Sequence, residues 1–161
     1  MRDQKLATRP SQIERELQAR VMDVALEVHK NMGLGFGREE YSRALAHEFG
    51  LENIEYERDK ITQLAYKDSV AGEYILDFVV EGAVVVAVQA GDHLTDMDES
   101  KLKSILKANR MKLGLIINFS KDILEIRTVE RWDARGGEFM PAKKKAAKKK
   151  PAKKAAKKGK K

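Results

Sequence analysis

Residues 75–90 read ILDFVVEGAVVVAVQA, two β-rich runs separated by Glu81-Gly82. Val, Ile and Phe dominate both runs, as strands prefer, and the Glu-Gly pair is a tight-turn signal between them. The second run, Ala83 to Ala90, is apolar at successive rather than alternate positions. Such a strand is covered on both faces, so helices are needed on both sides of the sheet. Working outward, Ile54, Tyr56 and Arg58 alternate with Glu55 and Glu57, which predicts one strand. Ile61 to Tyr66 predicts a second, before the turn-like Lys67-Asp68-Ser69. Downstream, Thr95 and Asp98 have the capping-box spacing, and Leu102, Ile105, Leu106 and Asn109 follow on a Lys-rich helix. Leu113 to Phe119 and Leu124 to Val129 complete the strands.

Two helices precede the strands. Ser11 and Glu14 have capping-box spacing, and Ile13, Leu17, Val21, Val24, Ala25, Val28 and Met32 recur every three or four residues, an apolar helical stripe that Gly33 ends. A second helix is predicted from about Arg38 to Phe49, with Tyr41, Ala44, Leu45 and Phe49 inward and Gly50 as its stop. The order α, α, β, β, β, β, α, β, β is a mixed α/β domain: a mixed β-sheet flanked by helices on both faces, with a strand–helix–strand crossover near its end. An N-terminal extension over 1–11, a domain over 12–135 closed by Trp132, and a linker and tail over 136–161 beginning at Gly136-Gly137 are expected.

Charge divides the chain. It has 161 residues with 32 Lys+Arg against 25 Asp+Glu, a net +7, yet residues 141–161 hold twelve Lys and no acid, so residues 1–140 are net −5. With 42% hydrophobic residues the first part is long enough to bury one ordinary core. Zero cysteines exclude disulfides, thiolate zinc sites and Cys nucleophiles, and accord with a reducing compartment. The opening MRDQKLATRPSQ has no apolar signal-peptide core, and no apolar run approaches a membrane span. The expected location is cytoplasmic and nucleoid-associated, or nuclear in a eukaryote.

The stretch ALEVHKNMGLGFGREEYSRAL at 25–45, with DFVVEGAVVVAVQA at 77–90 and LGLIINFS at 113–120, resembles the GxxExxY proteins, a branch of the PD-(D/E)XK nuclease-like superfamily. The resemblance covers roughly residues 12–130 and implies a nuclease-like core. In that superfamily a strand Asp, an acid and a Lys two residues apart on the next strand, and often a Glu on an early helix surround Mg²⁺. The carboxylates hold the metal, which acidifies a bound water and neutralises the scissile phosphate, while the Lys stabilises developing charge.

Carried over residue by residue, the resemblance makes Asp77 the strand Asp. The motif acid falls on Ala87, the motif Lys on Gln89, and the name-giving Glu on Arg38; in the third helix the usual Gln and Tyr fall on Lys101 and Ile105. Implied, therefore, is a degenerate site at Arg38, Asp77, Ala87, Gln89 and Lys101, with no cofactor, in which Arg38 and Lys101 hold a phosphate and Asp77 is an ion-pair partner. The plainer alternative leaves Arg38 solvated at a helix N-terminus. His29 is a nearby candidate, though a hydrogen-bonded structural role suits it better. His47 and His93 have no metal-ligand spacing, GLGFG lacks a phosphate-loop fingerprint, and Tyr41 fits packing better than catalysis. Restoring a Mg²⁺ site would need Asp77 plus a migrated acid such as Glu39, Glu40, Glu73 or Asp92.

The tail resembles the Lys-Ala-Pro tails of linker histones and of some bacterial nucleoid-associated proteins. Lys143, Lys144, Lys145, Lys148, Lys149, Lys150, Lys153, Lys154, Lys157, Lys158, Lys160 and Lys161 are its candidate nucleic-acid contacts. Such a composition cannot bury a core, which predicts a disordered tail. It contains no aromatic residue for base stacking, so the expected partner is duplex DNA, bound through phosphates without sequence specificity. A solubilising tail is the plainer reading. The expected function is non-catalytic DNA binding on a degenerate nuclease fold. A Mg²⁺-dependent nuclease with a rearranged site, and a pseudoenzyme scaffold that binds a protein or forms a homodimer, are the alternatives.

Overall fold

The computed structural model describes residues 9–131 and the backbone of 133–134 and 138–139. Trp132, Gly136-Gly137 and the Lys-rich tail lie outside the described residues. Helices α1 (Gln12–Met32) and α2 (Arg38–Leu51) come first, then strands β1 (Tyr56–Tyr66), β2 (Ser69–Val80) and β3 (Val84–Gln89), helix α3 (Asp96–Ala108), and strands β4 (Leu113–Asn118) and β5 (Glu125–Glu130). Both predicted capping boxes form: Ser11 accepts from Glu14 N–H, and Thr95 from Asp98 N–H, each at 3.2 Å. Separately, the short strands β6 (Asp133–Ala134) and β7 (Glu138–Phe139) pair antiparallel.

The five-stranded sheet has the order β1-β2-β3-β4-β5. Only β3 and β4 are parallel, from Val84 opposite Leu113 to Gln89 opposite Asn118, and α3 makes the crossover between them. The central strand predicted at 83–90 is therefore β3. Val84, Val86 and Val88 join the core beneath α1 and α2, with Leu17, Val21, Val24, Tyr41, Leu45 and Phe49. Val85 joins the opposite core, with Leu102, Ile105 and Leu106 of α3. Burial of each such aliphatic side chain contributes about 1.5–3 kcal/mol. Glu81 and Gly82 turn the chain with φ of 49° and 65°, closed by a 2.9 Å hydrogen bond from Ala83 N–H to Val80 C=O.

Two of the predicted strands are one. Ile54–Arg58 and Ile61–Tyr66 were expected as separate extended stretches, but one strand, β1, spans Tyr56 to Tyr66 and pairs with β2 from Tyr56 opposite Val80 to Tyr66 opposite Ser69, with a register shift between Leu64 and Ala65. The apparent break is local: Asp59 takes a φ of 54° between the pairs Arg58/Phe78 and Lys60/Leu76, a conformation Asp tolerates better than most residues. On β2, Leu76 packs with the α3 core and Phe78, two residues later, with the α1/α2 core. The regular alternation of faces thus breaks at Asp77. Beyond Phe78 the pairing of β2 with β3 also stops, because their ladder comprises only Phe78/Val86, Val79/Val85 and Val80/Val84.

Candidate nucleic-acid site

Where β2 and β3 part, side chains take over the backbone pairing. Val88 N–H donates to Asp77 Oδ2 at 2.8 Å, and Val88 C=O accepts from Arg38 Nε at 3.0 Å. Arg38 Nη2 donates to Asp77 Oδ1, closing a triangle among α2, β2 and β3. A buried backbone amide or carbonyl without a partner is costly, so this triangle seals the split edge. The Asp77 side chain is only 10% exposed, whereas that of Arg38 is 52% exposed and covers it. Burial pushes the Asp77 pKa up most strongly; the Val88 N–H and the Arg38 guanidinium pull it down, and the net direction is upward.

Beside this triangle, on the α3 side of the sheet, is a cleft of about 30 Å³ lined by Tyr74, Leu76, Asp77, Ala87, Gln89, Lys101, Leu102 and Ile105 among others. Asp77, Ala87, Gln89 and Lys101 are thus brought together along one cleft. Arg38 does not line the cleft; it caps Asp77 from α2. Lys101 places its ammonium over the Tyr74 ring, 4.9 Å from the centroid, while Arg38 is bonded to Asp77 and the Val88 carbonyl. Arg58, absent from the expected set, makes a separate pair with the residue next to Arg38 in sequence: it donates to Glu39 Oε2 at 2.7 Å and lies over Phe78.

The other candidates are accounted for by packing or lie apart. His29 Nε2 makes a 2.7 Å hydrogen bond to the Lys121 carbonyl, a structural role. Tyr41 is fully buried, stacks on Phe119 with centroids 4.7 Å apart and donates to the Gly33 carbonyl. Of the acids considered as migrated ligands, Glu39 pairs with Arg58 and Arg43. Glu40 folds over Gly37, and Glu73 and Asp92 are exposed. The Lys-rich tail lies outside the described residues, and among those described no helix is long and apolar enough to cross a membrane.

A Mg²⁺ ion requires oxygen ligands in near-octahedral array. Here both oxygens of Asp77 accept from N–H groups, a guanidinium stands against one of them, and positions 87 and 89 carry Ala and Gln. Among the described residues no three His, Asp or Glu side chains are grouped to hold a metal. These residues do not fit a metal cage.

The mixed sheet, its helices on both faces and the strand Asp at the parting of β2 and β3 define an α/β domain with a nuclease-like core. Residues 15–131 match the PD-(D/E)XK nuclease superfamily, and the chain belongs to it. No curated protein matches the chain. Among solved structures, the crystal structure of SSO0001 is similar with a TM-score of 0.41 and 12% identity, over 71% of this chain and 77% of that one.

Proposed function

We propose that this protein is a degenerate, GxxExxY-like member of its superfamily that binds nucleic acid without cutting it. The observation that carries the reading is the Arg38–Asp77 pair: a resident guanidinium stands against the strand carboxylate that, by the family resemblance, would serve a metal. With Ala87 and Gln89 on β3, neither a second carboxylate nor a motif Lys is present to activate water. The domain keeps its nuclease-like fold, and the twelve Lys of residues 141–161 supply a histone-like tail for phosphate contacts. Duplex DNA, bound without sequence preference, is the partner this chemistry favours, and association with the nucleoid follows from it.

The test is affinity for duplex DNA against salt, for the full chain and for a chain ending at Met140. A tail that neutralises about 6–12 phosphates gives a log–log slope of roughly −5 to −11. The full chain is expected to bind with such a slope, and the shortened chain to lose most of it. Equal, shallow binding by both would refute a tail-driven interaction.

A further inference from the structure

Arg38 has donors to spare. A guanidinium carries five N–H groups in a fixed fork; Nε is given to Val88 C=O and one N–H of Nη2 to Asp77. Nη1 and the second N–H of Nη2 have no such contact. The side chain is half-exposed while the carboxylate beneath it is almost covered, so the positive group of this pair is the one that faces solvent. It is also held at both ends, which reduces the ordering entropy of a further contact. Beside it is the first turn of α2, whose N-cap Gly37 offers no side-chain acceptor, leaving orphan N–H groups that favour an anion. Two acids bear on that turn. Glu39 is drawn off to Arg58, and Glu40, folded over Gly37, is the charge an incoming anion would meet.

From this geometry we infer that Arg38, oriented by Asp77 and Val88, binds a phosphodiester of the nucleic-acid backbone, filling the charge-neutralising place of a metal without activating water. This deepens the proposed function and rests on it: the tail holds DNA loosely, and Arg38 makes a directed contact from the folded domain. Lys101, engaged with Tyr74, is not part of the contact.

The experiment uses the ¹⁵N-labelled full chain titrated with a short DNA duplex, following the Arg38 Nε–H, the Val88 amide and the tail amides. The Arg38 and Val88 signals are expected to shift saturably together with the tail. Arg38→Gln, which removes both the charge and the fork, is expected to abolish the Val88 shift and reduce the salt slope by about one, the value of one lost phosphate contact. Glu40→Gln, which leaves the Arg38–Asp77 pair intact, is expected to tighten binding. Tail shifts with silent Arg38 and Val88 signals, and a slope unchanged in Arg38→Gln, would overturn the inference while leaving tail-driven binding standing. Shifts at Arg38 without the tail would support the inference and overturn the tail's role; no shifts anywhere would overturn both.

Discussion

Asp77 and Asp98 are two aspartates of one domain whose titrations push stability in opposite directions. Burial raises the Asp77 pKa in the folded state, so the native form binds its proton more tightly than the unfolded chain. Its contribution is full below the ordinary carboxylate value and is lost as pH rises through the raised one. The capping hydrogen bonds from Thr95 lower the Asp98 pKa, so its contribution is present above the ordinary value and is lost as pH falls through the lowered one. Urea unfolding across the acid range is expected to show Asp77→Asn flattening the loss on the rising side, and Asp98→Asn flattening the loss on the falling side. Arg38→Ala removes the cation that opposes burial, so the Asp77 pKa is expected to rise further, as an NMR titration reads directly. Its stability cost lies between that of exposed and buried ion pairs, about 2 kcal/mol in urea unfolding at neutral pH. A cost near zero would mean that the pair does not hold the split strands. Asp77, Ala87, Gln89 and Arg38 were legible as positions through the family resemblance. An ion-pair role for Asp77 was implied by the same resemblance; the bonds of Asp77 and Arg38 to the Val88 backbone were not legible, because they depend on where β2 and β3 part.

At the scale of elements, local signals were faithful where chemistry is local. Ser11 with Glu14 and Thr95 with Asp98 formed their capping boxes, and Gly33 ended α1 with a φ of 77°. Ser11→Ala is expected to cost about 1 kcal/mol in urea unfolding. The β1 strand was read as two because Asp59-Lys60 interrupts the alternation; the long partner β2 carries it through. Gly114 had no sequence signal at all. A Cβ there would lie 2.9 Å from Leu102 Cδ2, so this glycine sets how closely α3 packs on β4. Gly114→Ala is expected to destabilise by about 1–3 kcal/mol, and Leu102→Ala in the same chain to relieve part of that loss. Strict additivity of the two costs would refute the close approach.

The whole molecule joins an acidic first part to a strongly basic tail, net −5 over residues 1–140 and +12 over residues 141–161. That division, like the two-faced central strand, was legible from composition and hydrophobic pattern alone. The strand order was not, since which strands pair is decided by long-range packing rather than by any local run. For the full chain, binding should weaken steeply with salt while any directed Arg38 contact adds only about one to the slope. Binding and cutting are separated most simply by incubating the full chain with a DNA duplex in Mg²⁺ at low salt, isolating the complex and sizing the DNA recovered from it. Bound DNA of unchanged length is the expected result. Shortened DNA that requires Mg²⁺ and disappears with Asp77→Asn would show that this site cuts, and would contradict the reading of Arg38 as its resident cation.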